Sequence, residues 1–508
     1  MTLLGVDMGT TGVRAAVFDP RGRALAQATE ESPHQSLSPG WAEADAEAWW
    51  RAVRAVIARV AQQVSLADVA AVGVTGQAPT LVLVDADGRA LRPAILWLDV
   101  RADKQARAID TALGPGGAEA IGGNRMHAYY LGAKFAWLRA HQPEAVARAA
   151  LVLQSHAFIV LRLTGEAACD PSTAMLCSPL FDARSLAWSQ AGAQAVGMPI
   201  GLLPRIMAAQ EVIGPVTRGA AAATGLREGT PVVAGGGDFA ASALGAGVID
   251  EGEACLMLGT AGNLLMPMTQ PRFDARLINS HHVGCDRWLA LGGTLCGAAL
   301  EWFRGACAPD APWDLLEAEA EAVDVAELAG LTVLPYFQGE RTPIWNEGAR
   351  GVISGIDRTH RRGHLYRALL EGVALGFRHC LAVAEENGAR FGEVVAANGA
   401  GKSALFRQIL ADALGLPLTW RDCGDAGGST VAGAAILAGI GAGVLAGPEV
   451  ARSWREQEDR GRGVSVRHEP EPRAHARLRE VFARRGDLYA LSAFYKPSHA
   501  SGATVRDP

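Results

Sequence analysis

The stretch from Thr230 to Gly247, TPVVAGGGDFAASALGAG, constrains this chain more than any other. Pro231 to Ala234 is an apolar, β-branched run of the kind that forms a buried strand, and three glycines stop it. Gly235, Gly236 and Gly237 carry no Cβ, so backbone or ligand can come close there. Asp238 follows at once, at the end of a strand, where open α/β sheets place their chemistry. An aspartate before a small-residue helical stretch also reads as a helix N-cap, and this stretch alone leaves both readings open.

A chain of 508 residues exceeds a single core, which predicts two domains. The cuts expected are 1–247, 248–447 and a helical tail over 448–508, where charge density rises after Pro448. A net charge of −6 argues against nucleic acid as a partner. The eight cysteines form no Cys-x-x-Cys pair, which suits a reducing cytosol rather than a zinc knuckle or disulfide framework. The start, MTLLGVDMGTTG, lacks the basic and long apolar regions of a signal peptide, so the expected location is cytoplasmic. Gly427 to Gly447 is uncharged but rich in Gly and Ala, which predicts a closely packed buried helix rather than a membrane span.

Taken in order, Leu3–Val6 and Val13–Phe18 are strands around a tight Gly-Thr-Thr-Gly turn. Such a turn can face a phosphate, with Asp7 holding magnesium at its mouth; a plain hairpin is the competing reading. Trp49, Trp50, Val53, Val56, Ile57, Val60 and Val64 recur at helical spacing and belong to the core. Strands are expected at Val69–Val74, Leu81–Val84 and Ala94–Leu98. Trp97, Asp99 and Arg101 cluster where the last one ends, a set that suits a polyhydroxylated ligand or a surface ion pair. Ala254–Leu258, Gly-Thr-Ala-Gly and Asn263–Met266 echo the first hairpin and suggest two domains of related build. Residues 334–346 form a loop with Glu340 and Arg341, and His364–Glu385 is a long helix. Residues 394–414 read as strand, Gly-rich turn and helix, but a P-loop would need glycine where Ala396 stands. A helix over Ala474–Leu488 and a frayed end from residue 498 complete the chain.

With these pieces in hand, the chain resembles the FGGY carbohydrate kinases of the actin/hexokinase/Hsp70-like ATPase group. DMGTTGVRAAVFD is similar to that family's N-terminal phosphate hairpin, the Asp238 segment to its catalytic stretch, CLMLGTAG to its second phosphate turn, and NGAGKSALFRQILADALGLPL to its adenosine-binding segment. WLDVRA, LTGE and GERTP are most similar to the pentulose-kinase branch, xylulokinase especially. The resemblance implies an α/β fold of two actin-like (ribonuclease H-like) ATPase domains with a cleft between them, and ATP with Mg2+ as cofactors. Asp238 would accept the proton of the sugar hydroxyl, and Asp7 would organise the metal. Thr10, Thr11 and Thr260 would contact the phosphates, and Gly399, Ala400 and Gly401 would lie near the adenine. Arg14, Gly259, Gly297 and Ser403 complete the implied nucleotide contacts, and Gln77, Ala78, Pro79, Trp97, Asp99 and Phe239 would join Asp238 around the sugar.

Three departures bear on the sugar. Family xylulokinases carry Gly-Gln-Met-His-Gly in the first sugar-contacting turn, where this chain has Gly76-Gln77-Ala78-Pro79-Thr80. Phe239 stands where a polar amide is usual after the aspartate. A further family signature around Lys134, Trp137 and Leu138 fits only in part. The expected partner is a small sugar or polyol, with no nucleic acid or membrane, and a homodimer stays open. Ribulose, gluconate or tetritol kinases, or an Hsp70-like nucleotide-switched binding protein, are the alternative readings.

Overall fold

The computed structural model describes residues 1–328, 330–397, 399–421, 428–462 and 465–494. Residues 498–508, expected to fray, lie outside the described residues, as do Gly427 and Cys423. The chain packs as two compact units. The first takes Met1–Glu253, Leu265–Ala290 and the described part of 423–464; the second takes Ala254–Leu264, 291–421 and the described residues from Ser465 on.

In the first unit a sheet runs in the order Val212–Pro215, Pro231–Val233, Val69–Gly76, Thr2–Met8, Gly12–Phe18, Ala24–Glu31. Thr2–Met8 is antiparallel to Gly12–Phe18 and parallel to Val69–Gly76. The Ala46–Ala61 helix lies against this sheet with Trp49, Trp50, Val53, Val56, Ile57 and Val60 all buried in one cluster with the strands. Asp45 starts that helix by accepting the Glu47 N–H, and Arg59 sits in its last turn, where a cation favours the helix dipole. Ala94–Leu98 is strand only at Ala94–Ile95, because the chain then folds into a turn closed by Asp99 N–H donating to the Leu96 carbonyl at 3.1 Å.

The helix expected after residue 427 spans Gly428–Gly441 and is buried along most of its length. It packs on the sheet and on the Asp238–Gly245 helix with almost no side chain between. A Cβ on Gly73 would stand 2.0 Å from the Ala434 carbonyl oxygen, and one on Gly433 would stand 2.0 Å from that of Ala241. Its small residues are therefore a packing requirement set by backbone approach. Among the described residues, no helix is long and apolar enough to cross a membrane.

The second unit is also built on a sheet. Trp288–Leu295, Ala261–Met268, Glu253–Leu258, Glu393–Ala397, Leu418–Arg421 and Ser465–His468 follow one another in it. The Glu393–Ala397 strand is parallel to Leu418–Arg421 and leads through one 3-10 turn, Gly399–Lys402, into the Ala404–Leu414 helix. The Arg362–Glu386 helix supplies much of this unit's core. The tail forms a helix over Pro472–Phe494, and its Arg485 is buried with a hydrogen bond of 3.0 Å to the Tyr336 hydroxyl.

Candidate active site

Register brings the two key carboxylates of the first unit together. Asp7 and Gly236 both pair with Thr75, from opposite sides of the Val69–Gly76 strand, and Met8 and Gly237 both pair with Gly76. All three strands are parallel, so Asp7 and Asp238 emerge at the same, C-terminal edge. Gly235 makes this possible: its φ is +77°, and a Cβ there would lie 2.0 Å from the Val74 carbonyl oxygen. Asp238 is the first residue of the Asp238–Gly245 helix; the cap position belongs to Gly237, and no side chain caps it. The Asp238 carboxylate accepts the Phe239 N–H at 2.7 Å.

Both carboxyls are pushed upward. Burial, and then the charge of Asp238, raises Asp7 to about 7, with Arg14 and Thr75 pulling the other way. Burial raises Asp238 to about 6, opposed by backbone N–H groups. The nearest Arg14 nitrogen stands 3.7 Å from Asp7 Oδ2, while Asp7 Oδ1 is buried with no hydrogen-bond partner among the described residues. A buried carboxylate oxygen without a hydrogen-bond partner among the described residues, on a group whose charge a second buried carboxylate opposes, suits a divalent cation. Magnesium is commonly held by one or two carboxylates, waters and substrate phosphates rather than by a protein cage.

The remaining first-unit residues divide into two groups. Thr10 and Thr11 sit in the turn of the first hairpin, and the Trp97 indole donates to Thr10 Oγ1 at 3.0 Å. Gln77 is buried, and its Oε1 has no partner among the described residues. Its carbonyl accepts from Ser155 Oγ at 2.8 Å and Thr80 Oγ1 at 3.1 Å, while Tyr129 and Lys134 hold the carbonyls of Ala78 and Pro79. The Phe239 ring folds back over Gly237, where an added Cβ would stand 2.5 Å from the ring. Asp99 lies inside: it is fully buried, with Oδ2 accepting the Ala42 N–H at 2.7 Å and both oxygens taken by Arg101. The structure thus makes Asp99 part of a buried ionic cluster with Arg101, Glu43 and Arg92.

In the second unit, Gly259 and Thr260 form an exposed turn braced by the start of the Gly297–Cys307 helix. Gly297 N–H donates to the Gly259 carbonyl at 2.9 Å, and a Cβ on Gly297 would lie 2.9 Å from that same oxygen. Gly401 lies against the Trp420 indole, where an added Cβ would stand 2.4 Å from its nitrogen, and Arg407 donates to the Gly401 carbonyl at 2.7 Å, while Ala400 is half-buried in the same turn. Ser403 caps the following helix by accepting the Phe406 N–H at 3.0 Å, and its hydroxyl donates to Glu317. Glu340 of the 334–346 loop is buried, accepts from Thr294 Oγ1 at 2.8 Å, and is raised to about 7 by desolvation.

Some residues that hold the site carried little signal in the sequence. Lys134 is fully buried beneath the Ala78–Pro79 turn, donating to the Pro79 and Tyr129 carbonyls. Ser172 Oγ accepts the Gly237 N–H at 3.1 Å, and Asp170 accepts the Ser172 N–H at 2.8 Å. The run Asp170-Pro171-Ser172-Thr173 is a legible helix start, with Asp170 as N-cap and Pro171 at the first position. Nothing in it points to Gly237.

Comparison with known proteins agrees with this architecture. Residues 2–245 match the model of the N-terminal domain of the FGGY family of carbohydrate kinases, and residues 254–442 match that of its C-terminal domain. The chain is 34% identical to the xylulose kinase of Escherichia coli K12 over 86% of its own length and 90% of that enzyme's. It is 31% identical to the glycerol kinase of Myxococcus xanthus over 90% and 94% of the two chains. The crystal structure of xylulose kinase from Rhodospirillum rubrum superposes with a TM-score of 0.88 at 31% identity, covering 97% of this chain and 99% of that one. The chain therefore belongs to the FGGY family of carbohydrate kinases, and it is an ATP-dependent sugar kinase.

Proposed function

We propose that this kinase phosphorylates a hydroxyl of a pentulose, D-xylulose first, with Asp238 as general base and Mg2+ held at Asp7. The observation that carries the reading is the Asp7–Asp238 pair, two desolvated carboxylates at the ends of parallel strands. A base near 6 is unprotonated at neutral pH yet basic enough to take a proton from a hydroxyl in flight. The sugar O–H gives its proton to Asp238 as its oxygen attacks the γ-phosphorus of ATP. The bond from that phosphorus to the β–γ bridging oxygen breaks, and ADP leaves with the electron pair. Such transfer asks the protein chiefly for alignment and charge neutralisation. Magnesium held at Asp7 would supply positive charge against the phosphate oxygens.

Thr10, Thr11 and Arg14 serve the phosphates in this reading, as does the Gly259-Thr260 turn braced by Gly297. Gly399, Ala400, Gly401 and Ser403 serve the adenosine. Gln77, with its unpartnered Oε1, is the main acceptor for a sugar hydroxyl. Ala78, Pro79 and Phe239 add little polarity, and Asp99 acts on the sugar through the turn that carries Trp97. A hydroxyl forced against the Phe239 ring loses water without gaining a partner, at a cost on the order of 1–3 kcal/mol. D-xylulose should therefore be used with a high Michaelis constant, and Phe239→Asn should lower it. The kinship with glycerol kinases at 31% identity favours a shorter polyol as the second reading. ADP release measured across D-xylulose, D-ribulose, gluconate, erythritol and glycerol separates the two. Stimulation by glycerol or erythritol and none by either pentulose would replace the first reading with the second.

A further inference from the structure

Trp97 touches the phosphate hairpin through a hydrogen bond whose polarity matters. An indole N–H can only donate, whereas a threonine hydroxyl has one proton to give and lone pairs to receive. With the indole N–H 3.0 Å from Thr10 Oγ1, the threonine must be the acceptor. Its own proton is then left to point elsewhere, toward an acceptor such as a phosphate oxygen. We propose that Trp97 is a positioning residue for the nucleotide: its indole N–H fixes Thr10 as a hydrogen-bond donor to phosphate, and its ring links acceptor-site occupancy to that alignment.

The turn that carries Trp97 is held by buried hydrogen bonds and ion pairs. Trp97 rides on the Leu96–Asp99 turn. Leu96 N–H donates to the Ala42 carbonyl at 3.0 Å, and Asp99 accepts the Ala42 N–H at 2.7 Å, so the turn is pinned to residue 42 at both ends. Arg101 completes the anchor, with Nε 2.9 Å from each Asp99 oxygen, Nη1 2.6 Å from Glu43 Oε1, and its guanidinium 3.6 Å above the Trp41 ring. The route from that buried cluster to Thr10 passes through the Trp97 side chain. This gives Asp99, which no ligand can reach directly because it is wholly buried, a role in the site. A sugar against the indole face would hold the ring, and with it the N–H that sets Thr10.

This inference rests on the kinase reading above, and sugar-dependent ADP release by the wild type tests that reading separately. Michaelis constants for MgATP and for the acceptor are then measured for Trp97→Phe, Thr10→Val, Thr10→Ser and the Trp97→Phe/Thr10→Val double variant. Trp97→Phe keeps a ring and loses the N–H, so the MgATP constant should rise about two- to tenfold, the worth of one hydrogen bond, with a smaller change for the acceptor. Thr10→Val should raise the MgATP constant, Thr10→Ser should stay within about twofold, and the double variant should be no worse than Thr10→Val alone. Multiplying effects in the double variant, or a Trp97→Phe effect confined to the acceptor, would overturn the proposal. The Trp97 indole N–H resonance gives a second readout that needs no turnover. It should shift when a non-hydrolysable ATP analogue is added to the wild type and again in Thr10→Val; a resonance indifferent to both refutes the link.

Discussion

Replacing Asp7 by Asn should stabilise the ligand-free protein while impairing it as a kinase. The carboxyl is raised from its ordinary 3.8 to about 7, mostly by burial, so the folded state prefers it protonated. A tenfold change in proton affinity is about 1.4 kcal/mol, which puts the ceiling of the effect on the order of 4 kcal/mol. Because the folded value lies above the unfolded one, the stability this group contributes is complete below pH 3.8. It drains away as pH climbs to about 7. Asparagine does not titrate, so the gap in favour of Asp7→Asn opens between those limits and stays constant above them. The check is urea unfolding of both proteins from pH 4.5 to 8.5 without nucleotide or metal. A gain of about 1–4 kcal/mol at pH 8, shrinking toward pH 4.5, is expected. Adding MgCl2 should stabilise the wild type by mass action and leave the variant where it was. A variant no more stable than wild type at pH 8 would mean that the Asp7 charge is compensated inside the fold, and the metal argument would lose its physical basis.

Three further outcomes follow from the same geometry. Asp238→Asn should lower turnover by about 10²–10⁴ with nucleotide affinity nearly unchanged, and near-normal turnover would return Asp238 to a structural role. In the wild type, kcat/KM should rise with pH through the range of the coupled Asp7–Asp238 pair, about 6 to 7, and then level off. The base works only unprotonated, and a profile flat from pH 5 to 8 contradicts the assignment. Gly433→Ala should destabilise by about 1–3 kcal/mol or more and cut activity, since the new Cβ would fall 2.0 Å from the Ala241 carbonyl oxygen beneath the Asp238 helix. Gly219→Ala, with open space around it in an exposed helix, is the control that should not lose stability; equal unfolding midpoints for the two would refute the packing argument.

Much of the candidate site was legible in the chain itself because its signals are local. An apolar run, three glycines and an aspartate describe a strand end and a carboxylate within eight residues, 231–238, and the Thr2–Phe18 hairpin is as compact. The helix of Ala46–Ala61 could be read from one face repeating every three to four residues. Other features depend on partners far away in sequence, which spacing cannot report. Asp99 read as either a ligand-facing acid or half of a surface ion pair beside Trp97; that it pairs with Arg101 in a buried position depends on Ala42, 57 residues upstream, and on how Arg101 folds back. Lys134 clamps the Ala78–Pro79 turn across 55 residues, and Ser172 holds Gly237 across 65. The segment Gly428–Gly441 joins the first unit nearly two hundred residues after Asp238, and only tertiary packing shows that Gly5 and Gly73 of strands 2–8 and 69–76 meet its backbone at Val431 and Ala434. Sequence determined which groups exist and that the strand before Asp238 stops at the glycines, while the strand expected to reach Leu98 ends at Ile95. The tertiary structure decided how each carboxylate is surrounded, since desolvation and hydrogen bonding depend on every neighbour in space: Asp7 and Asp238 are buried with raised proton affinity, while Asp99 is bound to Arg101 and the Ala42 N–H.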